Sequence, residues 1–109
     1  MLQANQYGMS KALVSLAVEQ SIIEAGGSMA LEAVSNKMSE KHLCHLHDCY
    51  EHPEYLGTIL AEMAASTSHT VVKLVRNRLE EFSYKGEIQG FLEKLNRVLN
   101  AKSSTVIIQ

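Results

Sequence analysis

The chain contains no Trp, one Pro, one Asp and two Cys, and its four Tyr and two Phe bring aromatic residues to only 6%. Two Cys are too few for a disulfide framework, which excludes the small secreted scaffolds. With no signal-peptide pattern at the start, the expected setting is a reducing cytoplasm. No apolar run approaches the roughly eighteen residues of a membrane span, and the C-terminal Thr105–Ile108 patch is only strand-sized. Charge of one sign is also lacking: ten Lys and Arg stand against twelve Asp and Glu, a net charge of -2 and a pI near 6.2. That balance excludes the broad basic field of a dedicated nucleic-acid-binding domain. Linkers, low-complexity tracts and internal repeats are missing as well.

What remains is a 109-residue chain that is 46% hydrophobic and 20% charged, the proportions of one compact domain over 1–109. Without Trp the core must come from Leu, Ile, Val, Met and Ala, and abundant Ala, Leu, Glu and Met favour helix. The expected fold is all-α, a bundle of about five helices with a short extended C-terminal tail; residues 1–9 and 102–109 read as flexible or extended ends.

Ser10 is placed to cap a first helix in which Leu13, Leu16, Ala17, Gln20 and Ile23 recur at helical spacing, with Val14, Val18 and Ile22 widening the apolar face. Gly26-Gly27 ends it, and Ser28 starts a second helix carrying Leu31, Val34 and Met38, so that the two form a hairpin. Pro53 suits the first turn of a third helix, where its missing N–H costs nothing, and Leu56, Ile59, Leu60 and Met63 share one face of it. Ser66-Thr67-Ser68 marks the boundary of a fourth helix with Val71, Val72, Val75, Leu79 and Phe82 inward. Gly86 precedes a fifth with Ile88, Phe91, Leu92, Leu95, Val98 and Leu99. The β-branched Thr105-Val106-Ile107-Ile108 suggests a short strand or an adhesive tail. Met29, Met38 and Met63 read as core filler.

Lys41–His52 holds four of the five His and both Cys. Cys44, His45, His47 and Cys49, with the distant His69, supply imidazole and thiol groups of the kind that bind zinc. The spacing lacks the second ligand pair that closes a zinc finger. The simpler reading turns Leu43, Leu46 and Cys49 inward and leaves His42, His45, His47 and His52 solvated. A metal site predicts about one zinc per chain and a melting temperature that falls on chelation. A Cys–His nucleophile pair is imitated in sequence only, with no oxyanion loop, nucleophile elbow, phosphate-binding glycine loop or dinucleotide fingerprint beside it. No catalytic residue and no cofactor is therefore assigned. Asp48 and Pro53 read as a cap or turn before a helix. Lys73, Arg76 and Arg78 line one side of the fourth helix and offer a phosphate-contacting alternative, but Glu80 and Glu81 follow them directly.

The segment Leu46-His47-Asp48-Cys49-Tyr50-Glu51-His52-Pro53-Glu54-Tyr55-Leu56, followed by Ile59-Leu60, resembles a small archaeal domain family of unknown function. Versions of that family are output domains of Nitrosopumilus-type ammonia-oxidising archaea. Asp48, Pro53, Glu54, Leu56, Leu60, Val72 and Leu79 occupy the pattern's positions, and the resemblance covers Lys41 to Phe82. Ala64-Ala65 stands where that family has an aromatic-Gly pair, and His42, His45 and His47 are not typical of it. The resemblance implies a helical module that transmits or receives a signal through protein contacts. The resulting expectation is a non-enzymatic regulatory or protein-interaction module. A protein partner is expected; self-association through an apolar helix face or the Val106-Ile107-Ile108 tail is one way for so small a core to bury more surface, pairing of the tail within its own chain being the alternative, and nucleic-acid and membrane partners are not expected.

Overall fold

A computed structural model describes residues 2–82 and 84–108, with side chains over 8–82 and 84–99. The architecture is all-helical: α1 (Leu2–His42), α2 (Pro53–Ala61), α3 (Ala65–Leu79) and α4 (Gly86–Ile108), with short 3₁₀ turns at Leu46–Tyr50 and Glu80–Phe82. α1 is broken at Gly27, whose φ of 83° and ψ of 178° are not helical, so it consists of two helical arms and the bundle has five rods. That backbone region is essentially closed to residues with a Cβ. Gly26 is required for a separate reason: a Cβ there would lie 2.7 Å from the Ala30 Cβ.

The break folds α1 back on itself. Lys11 and Ser15 on the first arm meet Asp48 and the His47 carbonyl just beyond the second, which requires antiparallel arms. The first arm buries Ser10, Val14, Ala17, Val18, Ser21 and Ile22, and the second buries Val34 and Met38. α2 adds Leu56, Ile59 and Leu60, α3 adds Val71, Val75 and Leu79, and α4 adds Ile88, Phe91 and Leu95 to the same cluster. Each set keeps 3- or 4-residue spacing, the signature of one helix face turned to a common core. α2 and α4 approach closely at Gly57, where a Cβ would stand 2.8 Å from Val98 Cγ1.

Several expectations change. Leu16 and Ile23 are 54% and 39% exposed and Gln20 is exposed, so the core stripe of the first arm is the Val14/Val18/Ile22 face instead. Met29 is also outside, at 81% exposure. Ser10 caps nothing, since α1 already runs from Leu2; it is buried and donates to Glu87 Oε2 at 3.0 Å, fastening the first arm to the start of α4. α3 starts at Ala65, ahead of the Ser-Thr-Ser run, and the Ser68 and Thr70 hydroxyls donate back to the Ala65 and Ser66 carbonyls. The backbone of Thr105–Ile108 continues α4 rather than extending. Once nucleated, a helix gains a hydrogen bond with each added residue, and β-branched residues subtract only a few tenths of a kcal/mol. Met1, Gln109, the side chains before Gly8 and those from Asn100 onward lie outside the described residues, as does the expectation of an adhesive tail.

Gly27→Ala is expected to destabilise the fold by about 1–3 kcal/mol, and Gly26→Ala by a similar amount through the Ala30 clash. Gly90, where an added Cβ would meet no atom within 4 Å, is expected to gain up to about 1 kcal/mol on substitution by Ala. Urea titrations of the three variants check this; equal effects at Gly27 and Gly90 would contradict it.

Candidate functional site

The most unusual sequence, residues 43–52, is a tight connection pinned at both ends. His42 ends α1, and Leu43 turns the chain with a φ of 54° at 90% exposure. The Leu43 and Cys44 N–H groups reach back to the Ser39 and Met38 carbonyls at 3.1 and 3.4 Å. A left-handed residue at this point is the usual way to end a helix, normally with Gly; here a Leu takes it and is left outside, where the sequence reading had turned it inward. The 3₁₀ turn that follows is closed by Asp48, whose Oδ2 accepts the His45 N–H at 2.9 Å while its own N–H donates to the His45 carbonyl at 3.0 Å. Lys11 lies 3.5 Å from Asp48 and 3.2 Å from Glu51. The His45 N–H, and then the His47 and Lys11 charges, hold the Asp48 carboxyl below its usual range against the opposing effect of desolvation. Asp48 thus braces the turn at 46–50, and Pro53 opens α2 with His52 at the N-cap.

The ring systems divide into two stacks. Tyr55 on α2 carries His42 at 4.0 Å and His52 at 4.6 Å, both nearly parallel, while His45 and His47 stack on each other at 5.5 Å. His42 is therefore half-buried rather than solvated, and its Nε2 is buried without a hydrogen-bond partner. Cys49 is fully buried, and burial, followed by the Glu51 and Asp48 charges, pushes its thiol up to about 12. Cys44 is half-buried and raised as well, by desolvation and then by Asp48.

Among the described residues no three His, Cys, Asp or Glu side chains converge to hold a metal. A 3₁₀ turn has three residues per turn, which leaves His45 and His47 exposed and sends Cys49 into the core; His69 is exposed on α3. The zinc set of Cys44, His45, His47, Cys49 and His69 is thus not assembled. The basic set is similarly dispersed: Arg78 pairs with Glu24, and Arg76 lines a cleft of about 400 Å³ shared with Glu80, Glu93 and Asn96. Lys73 is exposed on α3.

Two features carried little or no sequence signal. The Lys11 bridge joins positions 37 residues apart in the chain. Glu62, at the end of α2, is gripped by Lys37 (2.9 Å) and Lys41, whose one-turn spacing on α1 was the only hint. Those two lysines draw the Glu62 carboxyl down to about 2.

The remaining feature is an apolar groove of about 360 Å³ between the first arm of α1 and the end of α3, lined by Leu13, Leu16, Ala17, Gln20, Leu79 and Phe82, with Arg78 at its rim. No helix among the described residues is long and apolar enough to cross a membrane. Comparison with family models, curated proteins and solved structures gives no match.

Because Glu62 ionises at lower pH in the fold than its ordinary value, its contribution is complete above 4.5 and lost as pH falls towards 2. Glu62→Gln is expected to lower the melting temperature at neutral pH, with the difference from the parent closing over that window; a gap independent of pH would contradict the clamp. In the native protein at pH 8, iodoacetamide is expected to spare Cys49 and to reach it only after unfolding. A chelator is expected to leave the melt unchanged, and a chelator-sensitive melt would restore the zinc reading.

Proposed function

We propose that this chain is a non-enzymatic protein-interaction module of the cytoplasm, and that it works through the apolar groove between the first arm of α1 and α3. The observation that carries this reading is the outward apolar stripe of α1. Met9 is 64% exposed, Leu16 54% and Ile23 39%, and Leu13 lines the groove beside them. Scattered exposed apolar residues are ordinary, but a contiguous row beside a groove marks an interaction surface. A helix laid into such a groove through apolar anchors one turn apart is a recurring mode of recognition. The signal-output role implied by the resemblance over Lys41–Phe82 belongs to the same proposal. Neither alternative has a comparable observation behind it, since the zinc set is spread over three environments and Arg78 is held by Glu24.

A photo-reactive residue in place of Leu16, compared with one in place of Glu93 on the polar cleft, tests the proposal in the cells that make the protein. Discrete adducts from position 16 and none from position 93 are expected. No discrete adduct from position 16 would contradict the reading.

A further inference from the structure

A polar cleft of about 400 Å³ lies on the other side of α3 from the apolar groove. Arg76, Asn77 and Glu80 face the cleft, whereas Arg78, Leu79 and Phe82 face the groove, so α3 separates the two. The opposite wall is α4, which contributes Gln89, Leu92, Glu93 and Asn96. A hollow of this volume is at the lower end of small-molecule sites, which run from about 300 to 1,000 Å³.

Charge in the cleft is divided by position. α3 passes through residues 80–85 into α4, which starts at Gly86, so Glu80 and Gln89 stand at the closed end and Arg76 stands one turn further out. Glu93 follows Gln89 by one turn, and its Oε2 accepts the Gln89 side-chain N–H at 3.2 Å; a carboxylate has further lone pairs to offer. Among the described residues the Arg76 guanidinium and the Asn77 and Asn96 amides have no hydrogen-bond or ion-pair partner. One uncommitted guanidinium, two carboxylates and two uncommitted amides therefore turn to the same hollow, with half-buried Leu92 as its apolar patch. We propose that this cleft binds a free dipeptide, its carboxylate on Arg76 and its ammonium beside Glu80 and Glu93.

Spacing selects the ligand. Arg76 and Glu80 are four residues apart, about 6 Å along the helix axis. The charged ends of an extended dipeptide are about 6–7 Å apart, which matches that span. In a free amino acid the ammonium nitrogen and the carboxylate carbon are only about 2.5 Å apart, too close to serve both. In a longer peptide one charged end lies beyond the pair, and a segment inside a partner protein lacks both ends. The peptide group between the two charges donates and accepts hydrogen bonds, as do the Asn77 and Asn96 amides. Leu92 gives one apolar side chain of the ligand a surface to lie against.

A nuclear magnetic resonance titration of the isotopically labelled full chain with alanyl-leucine at low ionic strength tests the inference. A Kd of about 1 mM is expected for a ligand of this size, with the shifts centred on the cleft residues between Arg76 and Asn96. Amidating the dipeptide's carboxylate, or acetylating its amine, is expected to raise the Kd at least about threefold, and free leucine is expected to bind more weakly than the dipeptide. Arg76→Gln is expected to erase the difference between the acid and amide forms, and Glu93→Gln to shrink that between the free and acetylated amine. Both residues are exposed, so the melt of each variant is expected to stay unchanged. No shift in the cleft up to about 20 mM dipeptide, equal binding of the acid and amide forms by the parent, or a difference that survives Arg76→Gln would overturn it. None of these outcomes touches the cross-links from position 16, so the cleft and the apolar groove can fail separately.

Discussion

The backbone at Gly27 takes a conformation that only glycine holds without strain, and the packing of every other element follows from it. With α1 continuous, Val34 and Met38 would lie far along the rod from Val14 and Val18; with α1 folded back, all four belong to one cluster. The fold-back also brings the connection after His42 alongside Lys11 and Ser15, and from there the chain enters α2 beneath the closed core. Gly26 and Gly27 are needed for different reasons, room beside Ala30 and a positive φ, so the pair cannot be shortened to a single glycine without cost.

The polar groups concentrate where the chain changes direction. Asp48 closes the 3₁₀ turn and meets Lys11, Glu62 ties the end of α2 to the second arm of α1, and Ser10 joins the first arm to Glu87 on α4. Polar contacts of this kind, the exposed ion pairs above all, contribute little individually, but each spans two elements and so selects one arrangement of the rods. The His and Cys of 42–52 belong to the same economy of position: Cys49 fills core space, His42 and His52 stack on Tyr55, and Leu43 supplies the turn. They crowd one short connection, and among the described residues no three of them converge as ligands.

Much of this was legible in the residues. The Gly26-Gly27 break, Pro53 at the head of α2 and the Ile88–Leu95 repeat of α4 are local signals, and local signals survive folding. What escaped was which side of the first arm faces in. Leu13, Leu16 and Ile23 form as regular a stripe as Val14, Val18 and Ile22, and periodicity alone does not say which one finds the rest of the chain. The long-range partners of Lys11 and Ser10 were invisible for the same reason, since contacts over dozens of residues leave no local pattern. The side chains of the zinc set do not come together among the described residues, because ligand spacing in sequence does not convey the phase of a 3₁₀ turn.

That ambiguity is itself informative. A helix with two apolar stripes can turn either of them to the core, and the fold-back at Gly27 decides which is left outside. The most direct test of the fold-back is an electron–electron resonance distance between labels at Ala12 and Glu40, two exposed positions on opposite arms, attached by a route that spares Cys44 and Cys49. Packed antiparallel arms with their label tethers predict a distance under about 25 Å. A value near 42 Å, about that of 28 residues of unbroken helix, would contradict the account at its root.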